Sequence, residues 1–397
     1  MTINPFRILC ATGLFAIFSS TISKSPVLPL FTASLGADPS GVGMVAAVSS
    51  FTGIMISIPA GILSDRWGRK RMLLIAASVF ATAPLCYLFV TNVWQLAAVR
   101  LYHGAATAIF TPVAMALVSD LFQQERGEKI GWFSTSTLLG RFAAPVVGGS
   151  IIGLLVMNPS TSYHAVYVVC AAAGALVFFL SLKIPDDKKK HRTGQSWQKT
   201  FSAFKTVILN RAIVITAMVE ASILFAYGTF ETFLPLYAIK TGLTAYEVGI
   251  FLSAQVITLA LTKPMMGKFS DRHGRKPQIV IGAFIGAFSI AGLSVVTGFF
   301  PLMGVSILFG LSQSIVTSAT AAYIADLSRG ESRGSAMGLL GSVMDIGHTM
   351  GPLVSGIVAA WLGFGMSFIG AGIILGLGSL VFLLFVTRPS ATTTARR

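Results

Sequence analysis

The phrase Gly61-Ile-Leu-Ser-Asp65-Arg66-Trp-Gly68-Arg69-Lys70 returns 206 residues later as Gly267-Lys-Phe-Ser-Asp271-Arg272-His-Gly274-Arg275-Lys276. Around it other pairs keep the same offset: Pro29 with Pro235, Gly36 with Gly242, Gly43 with Gly249, and Asp120 with Asp326. After one inserted residue the register continues, pairing Gly131 with Gly338, Gly140 with Gly347, Pro145 with Pro352 and Gly149 with Gly356. A collinear series of this length marks a duplicated chain whose halves share one architecture.

Each copy of the phrase lies between long apolar stretches. The chain is 54% hydrophobic and only 11% charged, against roughly 25% charged in ordinary soluble domains. A water-facing globule cannot hide that much apolar surface, so lipid is the solvent for most of it. Twelve runs are long enough to span a bilayer as helices: about 8–32, 42–63, 72–91, 94–119, 129–156, 164–183, 212–238, 246–267, 278–298, 301–325, 334–361 and 365–386. Their continuous apolarity, without period-two alternation, excludes a barrel. The expected fold is all-α, with twelve transmembrane helices in two pseudo-symmetric six-helix bundles. The bundles cover 1–183 and 212–386, joined by a cytoplasmic linker over 184–211 and followed by a cytoplasmic tail over 387–397. The first run is too long for a signal peptide, and its end has a mid-chain repeat partner.

The net charge of +15 does not point to nucleic acid. With the N-terminus in the cytoplasm, 24 of the 29 Lys and Arg residues fall on the cytoplasmic side, only Lys240 falls outside, and four lie within runs. This is the positive-inside bias, and it predicts a multi-pass protein of a bacterial inner membrane with both termini cytoplasmic. The stretch Trp197 to Leu209 places Trp197, Phe201 and Phe204 at helical spacing, predicting a short interfacial helix in the linker. Cys10, Cys86 and Cys170 fall inside runs without disulfide or metal spacing. No Walker-type Gly-Lys-Ser/Thr loop is present, and neither an enzyme activity nor a cofactor is indicated.

With the doubled phrase, the duplication and twelve runs in hand, the chain resembles the major facilitator superfamily over almost its whole length. The resemblance implies that Gly61 and Gly267 allow close helix approach, and that Arg69 bridges Asp65 and Asp120 as Arg275 bridges Asp271 and Asp326. Such a latch would stabilise the outward-open state. In the fifth run, Gly131, Gly140, Ala144, Pro145, Gly148 and Gly149 resemble the antiporter signature of the drug-exporting branches, with Ala144 in place of the usual Gly. The eleventh run carries a near copy. Pro26-Val-Leu-Pro29-Leu30 resembles the first-helix signature of drug/proton antiporters. Arg100-Leu-Tyr-His103-Gly104 resembles the fourth-helix motif associated with proton coupling, although His103 stands where Gln is common.

Charges inside a bilayer are costly and mark candidate functional positions. The cations are Lys24, Arg100, Arg141 and Lys263; the acids are Glu220, Glu231 and Asp345. Asp345 is the leading proton carrier, since His348 lies one turn away. Glu220 is second, with Arg100 as the charge partner. Glu231, near the outer end, is a gate or surface residue and the last carrier candidate. Lys263, near the cytoplasmic end of its run, snorkels. Lys24, Arg141, His103 and His348 are candidates for the substrate cavity. The expected function is proton-coupled efflux of a small amphipathic drug or metabolite, by a monomer whose partners are substrate, protons and lipid. The rival is export of an anionic metabolite, siderophore-like or an organic acid. A symport importer and a non-transporting receptor are further alternatives.

Overall fold

The computed structural model describes residues 4–155, 158–185, 209–328 and 332–386. Among them there are helices and no strand. The first half holds α1 (Pro5–Ile22), α2 (Val27–Ser34), α3 (Pro39–Trp67), α4 (Arg69–Cys86), α5 (Val93–Leu121), α6 (Arg126–Leu154) and α7 (Pro159–Leu182). The second holds α8 (Arg211–Lys240), α9 (Ala245–His273), α10 (Arg275–Gly292), α11 (Phe299–Leu327) and α12 (Ser332–Phe385). The expected linker helix, most of the 184–211 linker and the 387–397 tail lie outside the described residues.

Among the described residues ten spans are long and apolar enough to cross a membrane, with α1 and α2 together forming one, Pro5–Ser34. The twelve runs divide differently for local reasons. The first run is interrupted at Ser23–Pro26, between α1 and α2. The last two runs join in α12, which breaks at Gly363, where φ is 86°. The 18-residue α10 is not among the ten.

The duplication reappears as repeated backbone chemistry. Gly68 and Gly274 both adopt the left-handed region, φ 96° and 91°, where a side chain is strained. Each ends one helix and starts the next within the repeated phrase. Asp38 caps α3 by accepting from the Gly41 N–H at 2.9 Å. At the equivalent position, Thr244 caps α9 in a capping box with Glu247. Helix pairing repeats as well: α3 packs on α5 and α4 on α5 and α7, while α9 packs on α11 and α10 on α11 and α12.

Two seams join the halves, α3 with α12 and α6 with α9. Both are tightest at the end of the molecule away from the repeated basic loops. A Cβ added at Gly43 would run into the Pro352 carbonyl. One added at Gly149 would lie 2.5 Å from the Ala245 carbonyl oxygen. In lipid, small residues of this kind let helix backbones touch. Toward the loops, a Cβ at Gly61, Gly131, Gly267 or Gly338 would meet open space. The apolar clusters agree. At the far end, Val42 joins the second half's cluster and Ala245 joins the first half's. At the loop end, each cluster draws on one half alone. The molecule is therefore closed at the far end and parted toward the loops.

Candidate functional site

Between the halves lies a cavity of about 500 Å3, walled by α1, α3, α5 and α6 on one side and by α8, α9 and α12 on the other. A second, of about 560 Å3, lies between α1, α5, α6 and α9 and shares Thr107, Thr111, Met115 and Arg141 with the first.

Lys24 enters the first cavity from the interruption between α1 and α2. Its Nζ lies 2.7 Å from Glu231 Oε2 on α8, an ion pair across the halves that is largely buried on both sides. His348 on α12 closes the cluster: its Nε2 is 3.4 Å from Glu231 and 3.3 Å from Lys24. Its Nδ1 faces the Ser50 hydroxyl on α3 at 3.1 Å. Tyr227, one turn before Glu231, stacks on the His348 ring at 5.4 Å and 20°. Glu231 is thus neither a surface residue nor a bystander. At the repeat offset it stands where the first half has Ser25, beside Lys24, so the pair joins equivalent stretches of the two halves. A charged pair this deep persists only when geometry and extra hydrogen bonds offset its desolvation. His348 provides such a contact.

Arg100 does not partner Asp345 or Glu220. Its guanidinium donates to the hydroxyls of Ser23 (3.2 Å), Tyr87 (3.3 Å) and Ser49 (2.7 Å). The Tyr87 hydroxyl also reaches His103 Nδ1 at 3.4 Å, and its ring stacks on Tyr167 at 4.1 Å. Arg100 therefore ties α1, α3 and the Tyr87 turn together within the first half. His103 and Arg100 both line the cavity.

The remaining acids part company. Asp345 lines the cavity, and the structure gives its carboxylate no hydrogen bond or ion pair among the described residues. Glu220 is buried within the second half, where it accepts from Thr320 on α11; it lines neither cavity. Lys263 lines the second cavity and is the cation whose field reaches Glu220. Arg141 lines both cavities and is exposed within them.

The repeated loops hold ion pairs inside each half. Arg69 pairs with Asp65 at 2.5 Å and Asp120 at 3.3 Å, and also donates to Ser64. Arg275 pairs with Asp271 at 2.5 Å and Asp326 at 3.2 Å, and donates to Ser270 at 3.1 Å. In this conformation Gly61 and Gly267 touch no opposing helix. The antiporter-like stripe serves two contacts. A Cβ at Gly140 would strike the Leu14 carbonyl of α1, and one at Gly148 would meet Ile22 and Pro26. Gly149 and the Pro145 carbonyl face α9 across the seam. Ala144 is fully buried.

The family model described as Major Facilitator Superfamily matches residues 9–257 and again 239–397. The chain belongs to the Major Facilitator Superfamily. Among relatives of this superfamily member, an uncharacterized MFS-type transporter of Methanocaldococcus jannaschii is 26% identical, covering 85% of this chain and 87% of that one. Multidrug resistance protein MdtG of Proteus mirabilis is 28% identical, covering 85% of each chain. A crystal structure of a mutant of the nucleoside transporter NupG superposes with a TM-score of 0.82 at 16% identity, covering 96% of this chain and 99% of that one. At that identity the likeness concerns the fold.

Sequence reasoning did not single out Tyr227, Ser49, Ser50, Tyr87 or Tyr167. For Tyr227 a signal existed, because it lies four residues before Glu231 and so shares its helix face. The serines carried none, since Ser is common in these helices.

Proposed function

We propose that this superfamily member is a proton-coupled exporter of a small amphipathic drug or metabolite, working as a monomer by alternating access. Its twelve spans form two six-helix bundles over 1–183 and 212–386, with the basic loops and both termini in the cytoplasm of a bacterial cell. The asymmetric opening described above is then an inward-open state, with the sealed end outside. Relatives named as multidrug resistance proteins support efflux, and the stripe from Gly131 to Gly149 supports exchange.

The observation that carries the reading is the Lys24–Glu231–His348 cluster. It spans both halves beside the sealed end and faces the cavity. A proton on Glu231 would cancel the charge that holds Lys24 and so loosen that end. Asp345, unpaired in the same cavity, is the second exchange site, where substrate or proton can settle the charge. Glu220, behind the wall, takes no part.

The test is transport in proteoliposomes under an imposed pH gradient. Glu231→Gln and Asp345→Asn should each lose uphill accumulation while retaining binding or downhill counterflow. Glu220→Gln should keep accumulation. Wild-type pH dependence of uphill transport in both cavity mutants would reject the proton-coupled reading.

A further inference from the structure

The second cavity has a wall unlike the first. Among the described residues its charged lining residues are Arg141 on α6 and Lys263 on α9, and no carboxylate lines it. The two cations come from opposite halves and line the same cavity. Glu220 offsets part of the Lys263 charge from behind, but its carboxyl is turned to Thr320. Arg141 has no hydrogen bond or ion pair among the described residues. Both cations are solvent-accessible within the parted end of the molecule. Two like charges held across a gap repel unless an anion sits between them. The rest of the wall is mainly apolar, with Ile17, Phe110, Phe133, Leu138 and Leu259 beside the cations.

We infer that this cavity binds an amphipathic anion, its carboxylate or phosphate held between Arg141 and Lys263 and its apolar body laid against Phe110, Phe133 and Leu259. The inference rests on the export reading and narrows it to anionic amphiphiles. The guanidinium supplies a forked donor and the ammonium a point charge, a combination suited to an oxyanion. Because the ligand touches both halves, it also couples their separation to its own presence. The anion could be a free metabolite or the headgroup of an anionic lipid, since the chemistry is shared.

The experiment titrates the full chain in nanodiscs with dansyl-undecanoate and with its neutral methyl ester, by fluorescence. The carboxylate should bind at least tenfold more tightly than the ester. Arg141→Gln and Lys263→Gln should each weaken carboxylate binding roughly tenfold and leave ester binding unchanged. Ester binding thus doubles as the check that the variants are folded. Lys263→Arg should restore the preference. Equal binding of carboxylate and ester in the wild type, or an intact preference in the double Gln variant, overturns the inference. Nanodiscs made with and without phosphatidylglycerol separate the sources: competition assigns the anion to lipid, and its absence assigns it to the free compound. Transport is read separately. Selective binding without pH-driven accumulation of any amphiphile would defeat the export reading and leave this site standing. Accumulation of a cationic dye without carboxylate preference would do the reverse.

Discussion

In the first half, Gly140 meets the backbone of α1 and Gly149 meets α9. In the second, Gly347 meets α8 and Gly356 meets α3. Each glycine thus does in one half what its repeat partner does in the other. The intramembrane charges follow a different rule. Lys24, Arg100 and Arg141 belong to the first half, whereas Glu220, Glu231 and Asp345 all belong to the second, with Lys263 as its one cation. Close-packed backbone contacts have few alternatives in lipid, so both copies keep them. Charges serve chemistry, and chemistry at a shared cavity needs opposite partners rather than identical ones. The asymmetry also does mechanical work, because it places attraction between the halves where symmetry would place repulsion.

The largest expected effect comes from breaking that division of charge. Lys24→Glu would set two carboxylates together beside the sealed end. Losing one partner of a buried pair costs about 3–5 kcal/mol, so the closed far end should lose its dominance by more than a hundredfold. Spin labels at Ser34 and Leu362, both exposed, would report this as a longer interspin distance. The double variant Lys24→Glu with Glu231→Lys restores opposite charges and should return the wild-type distance. An unaltered distance in the single variant would show that the pair does not hold that end.

Next in size is a contrast within the conserved packing. Gly43→Val places a branched side chain against Pro352, where even a Cβ collides. Overpacking of this kind costs about 1–3 kcal/mol, and here it falls on the closed far end. Gly61→Val meets open space in this conformation and should leave it intact. If Gly61 is the contact that seals the loop end in the opposite state, its valine variant should trap the present one. The same labels would lengthen in Gly43→Val and stay unchanged in Gly61→Val, while transport falls in both. A common direction of change in the two variants would argue against two alternating seams.

This contrast shows what the sequence could reveal. The repeat register pairs glycine with glycine, and two of those pairs, Gly43 with Gly249 and Gly149 with Gly356, form the seams, because backbone contact leaves a mark in residue type. The stretch around Lys24 and Glu231 was harder to read. Distance along the chain hid their contact: Glu231 lay near the end of its run and resembled a surface residue. Only the interruption of the first helix at Ser23–Pro26 brings Lys24 to it. Arg100 invites pairing with an acid because charges do, but it donates instead to three hydroxyls from separate segments, and its buried Nε has no partner among the described residues. Glu220 and Glu231 lie eleven residues apart, three helical turns, which sets them on one side of α8, but only Glu231 lines a cavity. A shared helix face does not ensure a shared cavity when neighbouring helices wrap one part of that face.

The smallest expected effect compares the two basic loops, which have the same geometry in different settings. Arg69 and Arg275 each hold two aspartates at nearly equal distances. The aspartate side chains are 43% and 29% exposed in the first loop, against 63% and 56% in the second. Water weakens an ion pair by competing for its charges, and exposed pairs contribute only about 0.2–1 kcal/mol. Arg69→Ala should therefore lower thermal stability in detergent more than Arg275→Ala, with the first near the top of that range and the second near the bottom. Salt supplies the control. At about 1 M the screening length falls to about 3 Å, so wild type and both variants should converge if the loss is electrostatic. Equal loss of stability in the two variants, persisting at high salt, would mean that the arginines act through packing of their stems rather than through the aspartates they hold.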